Sequence, residues 1–146
     1  IIAFDKRYQE FKNRGIEVIG ISGDNEFSHF AWKNTPVNQG GIGQVKFPLV
    51  ADLTKQIARN FDVLYAEAVA LRGSFLLDAD GTVRHAVVND LPLGRNIDEM
   101  LRMVDTMLFT NEHGEVCPAG WNKGDEGMKA NPKGVAEYLG KNEAKL

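Results

Sequence analysis

Gly73-Ser74-Phe75-Leu76-Leu77-Asp78-Ala79-Asp80-Gly81-Thr82-Val83-Arg84-His85-Ala86-Val87-Val88 is the stretch that decides the fold class. Two β-prone runs flank Asp78-Ala79-Asp80-Gly81, and a short loop closing on Asp-Gly predicts an antiparallel hairpin. Downstream, Pro92 and Gly94 mark a turn, and Asn96 is placed to cap a long helix with Glu99 three residues on. Ile97, Leu101, Val104 and Leu108 form the apolar stripe of that helix, widened by Met100, Met103 and Met107. Upstream, Ile1, Phe4, Tyr8 and Phe11 share one helical face, and Gly15 stops that helix. The nearly continuous apolar run Ile16 to Ile21 predicts a buried, parallel strand. Asp24 or Asn25 caps a helix from Glu26 to about Asn34 that Pro36 ends. Phe47 to Val50 reads as a strand, followed by a helix capped by Asp52 or Thr54 and carrying Leu53, Ile57 and Phe61. The order helix, strand, helix, strand, helix, hairpin, helix predicts an α/β layer fold, with a mixed sheet flanked by helices.

After Glu112 the pattern changes. His113-Gly114, Pro118, Gly120, Gly124, Gly127, Pro132 and Gly134 punctuate a segment with few large apolar side chains. We therefore expect residues 1–112 to form the core and residues 113–146 a C-terminal tail, with a short helix around Val135 to Leu139.

Composition narrows the function classes. The 146 residues are 43% hydrophobic and 25% charged, enough for one domain with a core. A net charge of −3 without a basic stripe argues against nucleic-acid binding. No apolar run approaches membrane-spanning length. The chain opens at Ile1 inside an apolar-periodic segment with no initiator Met, which points to further residues upstream; no signal-peptide pattern precedes the first helix, and a cytoplasmic location is expected. A single cysteine excludes an internal disulfide and a cysteine metal cage. His29, His85 and His113 lack ligand spacing, so neither a metal nor another cofactor is expected.

Few residues then carry chemistry. Cys117 sits in the Gly/Pro-rich Glu115-Val116-Cys117-Pro118-Ala119-Gly120-Trp121, either as a buried, inert thiol or as one able to reach another chain. Arg72 opens an apolar strand, either as a solvated strand-end charge or as a fixed cation that lowers a thiol pKa and holds oxygen atoms. Arg95 precedes a helix N-terminus, where a cation opposes the macrodipole and calls for a nearby anion unless water screens it. Gly40-Gly41-Ile42-Gly43 lacks the Gly-Lys-Ser/Thr ending of a phosphate loop and reads as a flexible or tightly turned loop. Ser22, Asp24 and His29 match a hydrolase triad in composition only. Phe27, Phe30 and Trp32 read as core, but Trp32 cannot share a face with both phenylalanines, so the alternative is an exposed apolar patch on one side for another subunit.

Several collinear stretches together resemble the typical 2-Cys peroxiredoxins, among them the bacterial alkyl hydroperoxide reductase C subunits. They are Ile2-Ala3-Phe4, Ser22-Gly23-Asp24-Asn25-Glu26-Phe27-Ser28-His29-Phe30-Ala31-Trp32, Gly40-Gly41-Ile42-Gly43, Phe47-Pro48-Leu49-Val50-Ala51-Asp52, Leu71-Arg72-Gly73-Ser74-Phe75, Val88-Asn89-Asp90-Leu91-Pro92-Leu93-Gly94-Arg95 and His113-Gly114-Glu115-Val116-Cys117-Pro118-Ala119-Gly120-Trp121. The resemblance implies a thioredoxin-like fold and a thiol-dependent peroxidase acting on hydrogen peroxide and alkyl hydroperoxides. It makes Cys117 the resolving cysteine, Arg72 the arginine that stabilises thiolate and peroxide, and Arg95 a supporting arginine. The family's peroxidatic cysteine lies in a Val-Cys-Pro-Thr-Glu stretch just before the segment matching Ile1-Ile2, so it falls outside this sequence. The implied partners are a second subunit in a homodimer, further dimers in a pentamer of dimers, and a dithiol reductant such as thioredoxin or a flavoprotein disulfide reductase. A non-enzymatic scaffold or holdase on the same fold is the competing reading. Overoxidation-sensitive members carry Gly-Gly-Leu-Gly and a C-terminal Tyr-Phe; here Gly40-Gly41-Ile42-Gly43 and Tyr138-Leu139 keep half of that pattern, which predicts intermediate sensitivity.

Overall fold

The computed structural model describes residues 1–145, which divide into two compact units, Ile1–Ile97 and Asp98–Leu146. The first unit opens with α1 (Ile2–Lys6) and α2 (Tyr8–Asn13). The continuous helix expected there is interrupted at Arg7, whose N–H reaches back three residues to the Phe4 carbonyl rather than four. The predicted face survives the break: the Phe4 and Phe11 rings lie 5.7 Å apart, and Tyr8 lies 6.0 Å from Phe47. Asp5 accepts the Lys46 N–H at 2.7 Å and ties α1 to the loop before the next strand pair.

That pair is parallel, as expected: β1 (Gly20–Ser22) runs alongside β2 (Leu49–Ala51) in the register Gly20↔Leu49. It is shorter than the apolar run predicted, because the Ile16 N–H is taken by the Phe11 carbonyl at the end of α2. Nor is it buried throughout, since Ile19 and Ile21 keep 58% and 48% of their surface in solvent. Glycine at 20 is required by packing: a Cβ there would stand 2.6 Å from the Leu49 side chain.

Between the strands, α3 (Glu26–Asn34) is capped by Asn25, which accepts the Ser28 N–H at 2.8 Å. The following glycine loop turns tightly, as predicted. Gly40 and Gly43 have φ near 88° and 67°, and a Cβ on Gly41 would collide with the Thr35 carbonyl. Ile42 and Val45 anchor this loop by their buried side chains.

The buried Asp52 caps α4 (Gln56–Asn60) from outside the helix, accepting the N–H groups of Ile57 and Ala58 at 3.0 and 2.8 Å. A small antiparallel ribbon follows, β3 (Leu64–Tyr65) with β4 (Val69–Ala70). The predicted hairpin is present as β5 (Arg72–Leu77) and β6 (Val83–Asn89), with a bulge between Leu76 and Leu77. Asp78 closes its turn by accepting the Thr82 and Asp80 N–H groups, which lower its pKa further than burial raises it. Phe75 from β5 packs on Phe61 at 4.6 Å. Among the described residues the six strands form three two-stranded ladders.

The second unit begins within α5 (Ile97–His113), whose Met100, Leu101, Val104 and Met107 are buried along the predicted stripe. The segment after it is ordered. Val116 and Met128 exchange both backbone hydrogen bonds at 2.9 Å. Trp121 is 3% exposed and stacks on Phe109 of α5 at 4.9 Å. The closing helix α6 (Pro132–Asn142) is longer than predicted, because Asn131 caps it on the Gly134 N–H and Pro132 suits its first turn.

Candidate active site

Arg72 is the first residue of β5, and its Nε donates to the Leu91 carbonyl at 3.1 Å. Arg95 reaches the same strand from the turn after β6: its Nε donates to Ser74 Oγ at 3.0 Å and its Nη2 to the Gly73 carbonyl at 3.1 Å. Arg72 is thus held by the backbone of Leu91, and Arg95 by the backbone of Gly73, the residue after Arg72, and by the Ser74 hydroxyl. Arg95 keeps solvent contact as a residue, yet its guanidinium is sunk against β5. Desolvation lowers its pKa first, and the nearby Arg72 charge lowers it further. The backbone nitrogen of Ile1, which opens the segment into α1, lies within electrostatic range of Arg95 and Arg72.

Among the described residues no carboxylate pairs with Arg72 or Arg95. Two like charges held together without a counter-anion make a site that attracts an anion, and a guanidinium pair suits a thiolate or an oxygen-rich ligand. The start of α1, β5 and the turn carrying Arg95 therefore converge on one electropositive place. Sequence reasoning named both arginines but not their convergence with Ile1.

Cys117 belongs to the second unit. It is half-buried on the strand-like segment after Val116, with Sγ 3.9 Å from Thr110 Oγ1 and 4.0 Å from the Thr106 carbonyl of α5. Its thiol faces its own chain through weak sulfur contacts. The neighbour that sequence reasoning missed is Arg102. Its Nε and Nη2 form a two-pronged bridge to Glu99, both at 2.7 Å, while Nη1 donates to the Trp121 carbonyl at 2.7 Å. The available signal was a Glu-x-x-Arg spacing within the helix carrying the apolar stripe.

The Ser22 hydroxyl donates to Asp24 Oδ2 at 2.9 Å and lies 2.6 Å from Nε2 of buried His29. With its proton given to Asp24, the serine can only accept from His29. A hydrolase triad needs its carboxylate on the histidine, and here Asp24 holds the serine instead, so the cluster ties β1 to α3.

The AhpC/TSA family model matches residues 1–86, and the model described as the C-terminal domain of 1-Cys peroxiredoxin matches residues 107–141. The chain belongs to the AhpC/TSA peroxiredoxins. It is 68% identical over 146 residues to alkyl hydroperoxide reductase C of Helicobacter pylori, covering 100% of this chain and 74% of that protein. It is 48% identical over 142 residues to peroxiredoxin-2 of Rattus norvegicus, covering 97% and 72% respectively. The structure matches that of reduced Plasmodium vivax 2-Cys peroxiredoxin with a TM-score of 0.94 and 44% identity, over 95% of this chain and 72% of that one. The predicted α/β, thioredoxin-like class is thereby established, and with it membership of a family of thiol-dependent peroxidases. No helix among the described residues is long and apolar enough to cross a membrane, and no cluster of metal-ligating side chains occurs among them.

Proposed function

We propose that this peroxiredoxin reduces hydrogen peroxide and alkyl hydroperoxides with two cysteines from two subunits. The peroxidatic one is carried on the segment leading into α1, and the resolving one is Cys117. The observation that supports this best is the Arg72–Arg95 pair near the start of α1, an electropositive place without a carboxylate where that segment would deliver its thiol. Arg72 favours the thiolate electrostatically, and both guanidiniums can hold the peroxide oxygens.

The thiolate sulfur attacks one peroxide oxygen and the O–O bond breaks. The departing oxygen takes a proton and leaves as alcohol or water, and the cysteine becomes a sulfenic acid. Cys117 of the partner subunit then loses its thiol proton and forms the S–S bond, while the S–OH bond breaks and water leaves. A dithiol reductant of the thioredoxin or flavoprotein disulfide reductase type restores both thiols by exchange.

The working unit is a homodimer. Phe27 and Phe30, 76% and 70% exposed on α3, supply an apolar face for a pentamer of dimers. The deciding experiment is peroxide consumption by the full-length protein with a dithiol reductant. Cys117→Ser is expected to stop after one turnover with a trapped sulfenic acid. Unchanged cycling would remove Cys117 from the resolving role, and no consumption by the wild type would favour the scaffold reading.

A further inference from the structure

The resolving role, on which this inference rests, sets a problem that the second unit answers. Cys117 faces Thr106 and Thr110 of its own α5 and must be released before it can meet a sulfur on another subunit. Its own contacts at 3.9 and 4.0 Å are too weak to govern that release. The strong contact lies four residues on. Arg102 holds Glu99 with two of its three nitrogens and the Trp121 carbonyl with the third, so the fork is fixed by its own helix before it grips the segment.

The grip falls on a stiff piece of chain. Trp121 N–H donates to the Pro118 carbonyl at 3.1 Å, closing the turn that follows Cys117, and the indole N–H donates to the Asp125 carbonyl at 3.1 Å. Gly127 carries no side chain because a Cβ there would stand 2.5 Å from Glu115 and 2.7 Å from the Phe109 ring. Residues 115–128 are thus a closed loop seated on α5, and a pull at Trp121 is transmitted to Cys117.

We propose that Arg102 is a positioning residue: a latch that holds the Cys117 loop on α5 and sets the rate at which Cys117 is released to form the intersubunit disulfide. The charge relations agree with this. The Glu99 hydrogen bonds raise the Arg102 pKa more than desolvation lowers it, so the guanidinium stays charged while it grips the Trp121 carbonyl.

The test separates the two chemical steps in the full-length protein by rapid mixing with peroxide. In Arg102→Met, loss of one charge-assisted hydrogen bond is expected to speed disulfide formation about tenfold. The preceding reaction with peroxide should keep its wild-type rate, because Arg102 does not belong to the thiolate site. Arg102→Lys keeps the charge but not the fork and is expected between the two, as is Glu99→Gln, which loosens the fork and leaves Arg102 in place. Amide exchange in residues 114–128 should quicken in the same order. Disulfide formation at the wild-type rate or slower in Arg102→Met, with the disulfide still mapped to Cys117, would overturn the latch alone. A disulfide that does not contain Cys117 would overturn the resolving role beneath it.

Discussion

Two guanidiniums sharing one place without a carboxylate are an unusual arrangement, and the chemistry follows from it. A cation within a few ångströms of a thiolate lowers the thiol pKa by about 1–3 units. In the full-length protein, Arg72→Met is therefore expected to slow the reaction with peroxide at neutral pH by about tenfold or more. Its pH–rate profile should move to higher pH, and an unchanged profile would separate Arg72 from the thiolate. Asp52 offers a residue-scale test of stability. Burial raises its pKa, but the backbone N–H groups of Ala58, Ile57 and Gln56 lower it more, leaving it below its ordinary value of 3.8. A carboxylate depressed in the folded state stabilises the fold above its unfolded pKa and loses that contribution as pH falls through the folded value. Asp52→Asn should melt lower than wild type at pH 7, with the gap closing as the pH falls below the ordinary carboxylate range. A gap that persists in acid would mean that shape rather than charge is responsible.

At the scale of elements, legibility tracked how local the signals were. The β5–β6 hairpin was readable because Asp78 and Gly81 carry the turn within the loop itself. The β3–β4 ribbon was not, because its turn places Ala66 and Glu67 at positive φ, where no Gly or Asn advertises it. The order of the tail was less legible, because it rests on pairings distant in sequence: Val116 with Met128, and Trp121 with Phe109, 12 positions earlier. Arg72, Arg95 and Cys117 could be named from sequence motifs. The meeting of the two arginines with Ile1, and the Arg102 fork, needed three dimensions. In α6, Leu139 is 44% exposed, so its apolar contact is incomplete. Leu139→Phe should bury more apolar surface and hold that helix closed longer. The peroxide concentration that inactivates the full-length enzyme is then expected to fall about two- to fivefold, and an unchanged concentration would contradict the link.

For the molecule as a whole, bare apolar surface is the informative feature. Phe27 and Phe30 project from α3, 76% and 70% exposed. A charge on the α3 face should prevent ring assembly without unfolding the subunit. Phe30→Asp is expected to sediment as a dimer where the wild type forms larger rings, and an unaltered ring would place the contact elsewhere. The most direct measurement concerns the sulfur on the second unit. One equivalent of peroxide is added to the reduced full-length protein, free thiols are alkylated, and the disulfide-linked peptides are identified. The account expects Cys117 joined to a cysteine from the segment preceding α1 of another subunit, in a covalent dimer. Peroxide consumed while Cys117 remains fully alkylated would contradict it.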